Sequence, residues 1–196
     1  MKNKFKYFGL AATITALPLT TMAGEQATFE AKVEVKNAFS LQKQQDLDFG
    51  TIRALADNVG TDKATLVIPA DKTMAPTPFT TNPSTAEIAI LSAGSPAQFK
   101  ISGVVPFATL TITDPVETNI SLTTSGSAAG FTLGSYTYFV ETGASNSTPV
   151  VGNKIQVDAL GDAVFNLGAT LSTTNNNAAN YLDGNYVGTF TLEVSY

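Results

Sequence analysis

The sequence predicts an all-β chain folded as an antiparallel sandwich, and three observations carry that expectation. Segments in which apolar and polar residues alternate recur along most of the chain, which is the period of a strand with one buried face. Each is bounded by Gly, Pro, Asn, Asp or Ser, the residues that favour turns. No stretch after the amino-terminal two dozen residues has a helical period with matching caps. Roughly nine to eleven short strands of this kind imply two packed antiparallel sheets.

Composition agrees with that class. A chain of 196 residues suits one domain with a full apolar core. Charged residues are 14% of it, against about 25% in ordinary soluble domains. Apolar residues reach 43%, too many for a disordered chain. No period of 20–50 residues marks a solenoid or propeller.

The amino terminus reads as a secretory signal over residues 1–23. Lys2, Lys4 and Lys6 form a basic start, "FGLAATITALPLTTMA" an apolar core, and Thr21-Met22-Ala23 a small-residue cleavage site before Gly24. Against a membrane anchor, the other reading, the apolar run is short, is broken by Pro18 and meets no stop-transfer segment. Without those three lysines the net charge moves from −5 to about −8. No basic cluster remains, which argues against nucleic acid and anionic lipid as partners.

The strands are then expected in order. "ATFEAKVEVK", residues 27–36, points Ala27, Phe29, Ala31, Val33 and Val35 one way and Thr28, Glu30, Lys32, Glu34 and Lys36 the other. "NAFSLQKQQDLDFGTI" has Phe39, Leu41, Leu47 and Phe49 as apolar anchors. "ATLVIP" is a short strand that Pro69 ends. "TMAPTPFTTNPST" reads as a loop leading to "AEIAIL" and, after a Gly-Ser-Pro turn, "AQFKISG". "FATLTIT", "ETNISLTT", "FTLGSYTYFVE", "KIQVD" and "DAVFNLGATL" follow. The chain closes on "DGNYVGTFTLEVSY", read as one strand with Tyr186, Gly188, Phe190, Leu192, Val194 and Tyr196 on a single face.

Little in the sequence points to catalysis. The chain has no Cys and no His, so Ser-His-Asp and Cys-His chemistry are excluded, as is disulfide stapling. "DLDFG" sets Asp46 and Asp48 on one strand face, but no glutamate completes a calcium loop and no kinase scaffold surrounds the D-F-G string. The structural reading is that Leu47 and Phe49 fill the core while Gly50 permits a turn. "NNNAANYLDG" is rich in oxygen ligands, yet Asn and Asp also favour turns without a metal. The expectation is no enzyme, no cofactor and no metal.

The two ends form a matched pair. A long regular terminal strand needs a neighbour, or it leaves an edge open to other chains. The alternating segment 27–36 is a spare strand that either pairs within its own molecule or enters the next one.

"LDFGTI", a mid-chain "AQFKISG" and the terminal G-x-Y-x-G-x-F-x-L-x-V-x-Y pattern, in that order, resemble an uncharacterised secreted β-domain family of Gram-negative bacteria. That family is similar to spore-coat-U-like proteins and archaic chaperone–usher pilins. The resemblance spans roughly residues 27–196. It implies an immunoglobulin-like sandwich lacking one strand, which a periplasmic chaperone lends and an outer-membrane usher exchanges for the amino-terminal extension of the next subunit. Carried onto this chain, residues 24–36 are the extension, residues 37–196 the sandwich, and the donor face Ala27, Phe29, Ala31, Val33 and Val35. The acceptor edge is Tyr186, Phe190, Leu192, Val194 and Tyr196. The function so implied is a structural subunit of a pilus-like surface filament or coat, partnered by its own kind. The alternative is a self-complemented secreted monomer acting as an adhesin or carbohydrate-binding module.

Overall fold

The computed structural model describes residues 25–34, 38–57, 59–80, 85–124, 128–174 and 180–196. The chain divides into two units, Met1–Val35 and Lys36–Tyr196. In the first, residues 25–34 are exposed and carry no regular secondary structure. The strand expected over 27–36 is therefore not formed within 27–34. A strand exists only as one side of a ladder, and alternation alone supplies no hydrogen bonds. The expected signal over 1–23, Gly24, Val35 and Lys36 lie outside the described residues, as do residues 175–179 of the Asn-rich loop.

The second unit begins with β1 (Ser40–Gln45) and β2 (Thr51–Leu55), separated by a turn in which Asp48 Oδ1 accepts the Gly50 N–H at 2.8 Å. β3 (Ala64–Ile68) stops at Pro69, as expected. β4 (Thr77–Thr80) lies inside the stretch read as a loop. Its Pro78 is tolerated because β4 is an outer strand bonded to β3 alone. β5 (Glu87–Ser92), β6 (Ala97–Ser102), β7 (Thr109–Thr113) and β8 (Thr118–Leu122) fall on expected segments. β9 (Phe131–Thr142), the very short β10 (Thr148–Pro149), β11 (Lys154–Gln156) and β12 (Ala163–Thr173) follow. The chain ends with β13 (Tyr186–Val187) and β14 (Glu193–Ser195). Among the described residues there is no helix long and apolar enough to cross a membrane.

All the strand pairs are antiparallel. The larger sheet runs β1-β6-β12-β9-β8-β13, with β3 and β4 beyond one end of β6 and β10 on β9. A three-stranded sheet, β11-β7-β14, and a two-stranded ribbon, β2-β5, complete the set. The alternation of "DAVFNLGATL" explains the centre. Phe165, Leu167, Ala169 and Leu171 of β12 are all at most 2% exposed. Together with Ala97, Phe99 and Ile101 of β6 and Leu133, Tyr138 and Val140 of β9, most of them meet Leu110 and Ile112 of β7 and Ile155 of β11 in one apolar cluster. A second cluster joins Ala64, Leu66, Phe131 and Leu171 to Ile88 of β5, with Ile52 and Ala54 of β2 against it. The fold is thus a two-layer β-sandwich.

The terminal strand departs from expectation. It is two strands, because the segment changes sheets: Tyr186 pairs with Leu122 in the larger sheet, whereas Val194 pairs with Ile112 in the smaller one. The crossing begins at Gly188, where a Cβ would lie 2.9 Å from the Asn119 carbonyl oxygen. The alternation survives the crossing, with Phe190 and Leu192 half-buried and Thr189 and Thr191 exposed.

β12 is paired on both sides. β9 lies along one side, while the other takes β6 over residues 163–167 and β3 over residues 169–172. Gly168 stands where those two neighbours meet, and a Cβ there would lie 2.3 Å from the Ile68 carbonyl oxygen and 2.4 Å from the Ala70 nitrogen. On the opposite face from the core, Asn166 is 1% exposed and fully engaged. It accepts from Gln98 Nε2 at 3.2 Å and donates to the Ala70 carbonyl at 3.1 Å and Glu141 Oε1 at 2.7 Å. Lys72 closes the network on Glu141 at 2.6 Å. Burial works against ionised Glu141, but the Lys72 ammonium and the Asn166 amide outweigh it and hold its pKa below the usual range.

Asp57 organises the β2–β3 connection in the same way. Its carboxylate accepts from Thr85 Oγ1 at 2.6 Å and from the N–H groups of Gly60, Val59 and Asp62 at 2.9, 3.1 and 3.2 Å. Led by the Thr85 hydroxyl, these donors pull its pKa from 3.8 to about 2.

Two outcomes are expected. Gly168→Ala forces the β3 backbone off β12 and lowers stability by roughly 1–3 kcal/mol, measured as a fall in the urea midpoint at constant slope. Because the Asp57 pKa is depressed on folding, its contribution is full above the unfolded value and is lost as pH falls from about 4 to about 2. Asp57→Asn is therefore less stable than the parent at pH 7, and thermal melts of the two converge as pH approaches 2.

Candidate functional site

Each sheet of the sandwich has an outer strand at one shared margin. β1 bonds only to β6, and β14 bonds only to β7. Their ends touch across the two layers, where the Phe39 ring meets the Tyr196 ring edge-on at 5.7 Å and 78°. Phe39 and Leu41 on one wall and Phe190, Leu192 and Val194 on the other pack against the first apolar cluster. All five are only half-buried.

Within the three-stranded sheet the two outer strands differ in this respect. β11 is the other outer strand of the same three-stranded sheet, and its Ile155 is 1% exposed, with Val157 just beyond it at 0%. The chain covers that side itself: Ala144 N donates to the Gln156 carbonyl at 3.1 Å, and Val150 packs on the cluster. One strand inward from the open margin, Ile101 of β6 and Leu110 of β7 are both at 0%. The strands one step inward are thus buried, while the apolar residues of the margin itself are half-buried.

The backbone at the margin is oriented as well. Ile112 N donates to the Asn153 carbonyl at 2.8 Å, and Val157 N donates to the Ala108 carbonyl at 3.1 Å. The even-numbered residues of β7 thus bond toward β11. Successive residues of a strand bond to opposite sides, so Thr111 and Thr113 bond toward Ser195 and Glu193, their partners in β14. The N–H and C=O of Val194, between them, point to the free edge. Its side chain points into the sandwich.

The residues expected at the acceptor edge separate into two groups. Phe190, Leu192 and Val194 come together on the first cluster, and Tyr196 sits on Phe39. Phe190 also lies 5.9 Å from the Tyr136 ring, whose hydroxyl pKa is raised chiefly by burial. Tyr186 is elsewhere. Its ring meets Phe131 at 5.3 Å and Tyr181 at 6.1 Å beside the second cluster, and its hydroxyl bonds both the N–H and the carbonyl of Leu182 at 3.0 Å. Tyr186 belongs to the larger sheet because the chain has not yet crossed. The sequence did not identify Phe39 and Leu41 as the opposite wall, although both stood out as apolar anchors. Among the expected donor residues, Phe29 and Val33 are 90% and 87% exposed, Ala27 and Ala31 are exposed, and Val35 lies outside the described residues.

The acidic residues act locally. Asp46 is paired with Lys43, Asp48 makes the turn before β2, and Asp158 accepts from Leu160 N at 2.8 Å and Asp162 N at 3.0 Å. The backbone donor of Asp162, and then that of Leu160, lower the Asp158 pKa. Asp114 accepts from Tyr138 and Asn153, both at 2.9 Å, and burial followed by that bond raises the Tyr138 pKa. Among the described residues no three acidic side chains converge as metal ligands.

The chain belongs to the family described as a domain of unknown function (DUF4402), whose pattern matches residues 39–196. The match begins at Phe39 and ends at Tyr196, the two rings in contact, so it takes in both walls of the margin and leaves out residues 25–34. No curated protein matches the chain.

Proposed function

We propose that this chain is a structural subunit of a pilus-like surface filament or coat, exported through the periplasm of a Gram-negative cell. Assembly proceeds by insertion of the segment at residues 27–35 of one copy into the open margin of the next. The observation that carries this reading is the contrast between the two outer strands of one sheet: Ile155 of β11 is buried, whereas Val194 of β14 is half-buried, facing a β1 wall whose Phe39 and Leu41 are half-buried too. A segment of matching alternation, with Phe29 and Val33 in solvent, stands in the same chain.

Energetics support strand insertion over simple greasy contact. Burying Phe29 and Val33 contributes roughly 1.5–3 kcal/mol each. Ordering each backbone residue costs about 1–2 kcal/mol, so the apolar gain alone does not hold the segment. Ladder bonds to the free edge of β14 are needed too, and such bonds require a strand. The resemblance to archaic chaperone–usher pilins supports the same route, with a periplasmic chaperone shielding the margin until an outer-membrane usher passes it to the next subunit. Catalysis is not part of this reading.

Val33→Asp tests it. Val33 is 87% exposed in the single chain, so the change leaves the sandwich intact. In an occupied margin it buries an unpaired charge at a cost of several kcal/mol. Electron microscopy and light scattering are expected to find filaments of the parent chain and an at least hundredfold lower yield from the variant. Equal yields overturn the proposal. A parent chain that stays monomeric at every concentration and binds a glycan on an array supports the adhesin alternative instead.

A further inference from the structure

The open margin admits more than one register of an inserted strand, and the charges on the outward faces discriminate among them. A strand entering beside β14 must keep its apolar face inward, so any slip moves it by two residues, since one residue would reverse its faces. Its outward face reads Glu30, Lys32, Glu34, Lys36, a sign that alternates with every permitted slip. On β14 the outward face carries one charge, the exposed Glu193. Glu30 or Glu34 opposite Glu193 is repulsive. Lys36 opposite Glu193 carries Phe29 and Ala31 beyond the acceptor residues. With Lys32 opposite Glu193 in an antiparallel pair, Phe29, Ala31, Val33 and Val35 lie against Tyr196, Val194, Leu192 and Phe190, and of the donor face Ala27 alone falls past the acceptor residues.

We infer that Lys32 of one copy pairs with Glu193 of the next and that this pair sets the register of the junction. The inference rests on the proposed strand insertion and names its specificity residues. Two features of the geometry favour it. The Lys32 side chain is 86% exposed in the single chain and pairs with the similarly exposed Glu30 at 3.2 Å, a surface contact that a new partner can replace. Residues 193 and 195 direct their backbone bonds toward β7, as derived above, so in an antiparallel junction Glu193 occupies a non-hydrogen-bonded pair. Side chains of such pairs approach most closely across strands. The partner is a second copy of this chain, selected by charge complementarity as well as by apolar fit.

A charge-exchange experiment on the full-length chain tests the pair. Lys32→Glu alone and Glu193→Lys alone each set like charges opposite one another at every junction. The double variant Lys32→Glu/Glu193→Lys restores opposite charges with the polarity reversed. At low ionic strength each single variant is expected to assemble about fivefold less readily than the parent, the size of an exposed cross-strand pair turned repulsive. The double variant regains most of that loss, and about 0.5 M salt narrows the gap between single variants and parent. Both positions are exposed, so melting of the free chain serves as the control for folding. If the parent forms filaments and the single variants match it at low salt, the register inference is overturned while strand insertion stands. If the parent forms none, strand insertion fails, and the pair with it.

Discussion

The structure depends on β12 being paired along its length on both sides while its apolar face is covered from above. Phe165 stacks on Phe99 at 5.5 Å and meets Tyr138 at 6.3 Å, joining the three central strands of the larger sheet. With no cysteine to cross-link the chain, this packing and the ladders around it must hold the sandwich. The polar side of β12 is equally committed. Asn166 draws the Ala70 carbonyl and Glu141 onto it, fastening the β3–β4 connection where the core cannot reach. A buried amide with this many partners stabilises only because none of its groups is left unpaired.

From that centre outward, the two edges of the smaller sheet close differently. Toward β11 the chain turns back and donates its own backbone and side chains to the edge. Toward β14 it crosses from one sheet to the other, makes a three-residue strand and reaches Tyr196. What remains only half-buried is a strip bounded by Phe39 and Leu41 on one side and by Phe190, Leu192 and Val194 on the other. The strip therefore follows from the topology: each bounding strand is the outermost of its sheet, and no described segment lies beyond either.

Much of this was legible in the alternation. The faces of β3, β6, β7 and β12 follow from period two, and Pro69 ended its strand as read. The inward face of the carboxyl-terminal segment was also legible, because side-chain direction survives even where the ladder is interrupted. Other features turn on information that alternation does not contain. β4 was hidden because Pro and Thr look like loop residues unless one knows that the strand is an outer one. In "FTLGSYTYFV", Phe131 and Leu133 point inward and then Tyr136 and Tyr138 do, a change of phase produced by a bulge at Ser135, which has φ +53°. Gly134-Ser135 was its one local signal. Which strands lie across from which is a property of pairing, so Tyr186 was grouped with residues it does not neighbour and Phe39 was not assigned to a wall.

The two bounding strands are built to discourage indiscriminate pairing. β14 is only three residues long and shows Glu193 and Ser195 to the same side. β1 carries Lys43 and three glutamines and loses register with β6 between Lys43 and Gln45. Short length, charge and a bulge are the devices by which soluble proteins blunt an open edge against aggregation. Blunting the edges while leaving apolar side chains half-buried between them has a specific consequence. A generic strand gains little from bonding to so short an edge, whereas a strand that also carries apolar residues at the right spacing and a charge complementary to Glu193 gains on all three counts. Discrimination then comes from what the margin refuses as much as from what it accepts. On the proposed assembly, the alternating apolar residues and the alternating charge on the opposite face, at residues 27–36 of this chain, are the pattern that such a margin would select.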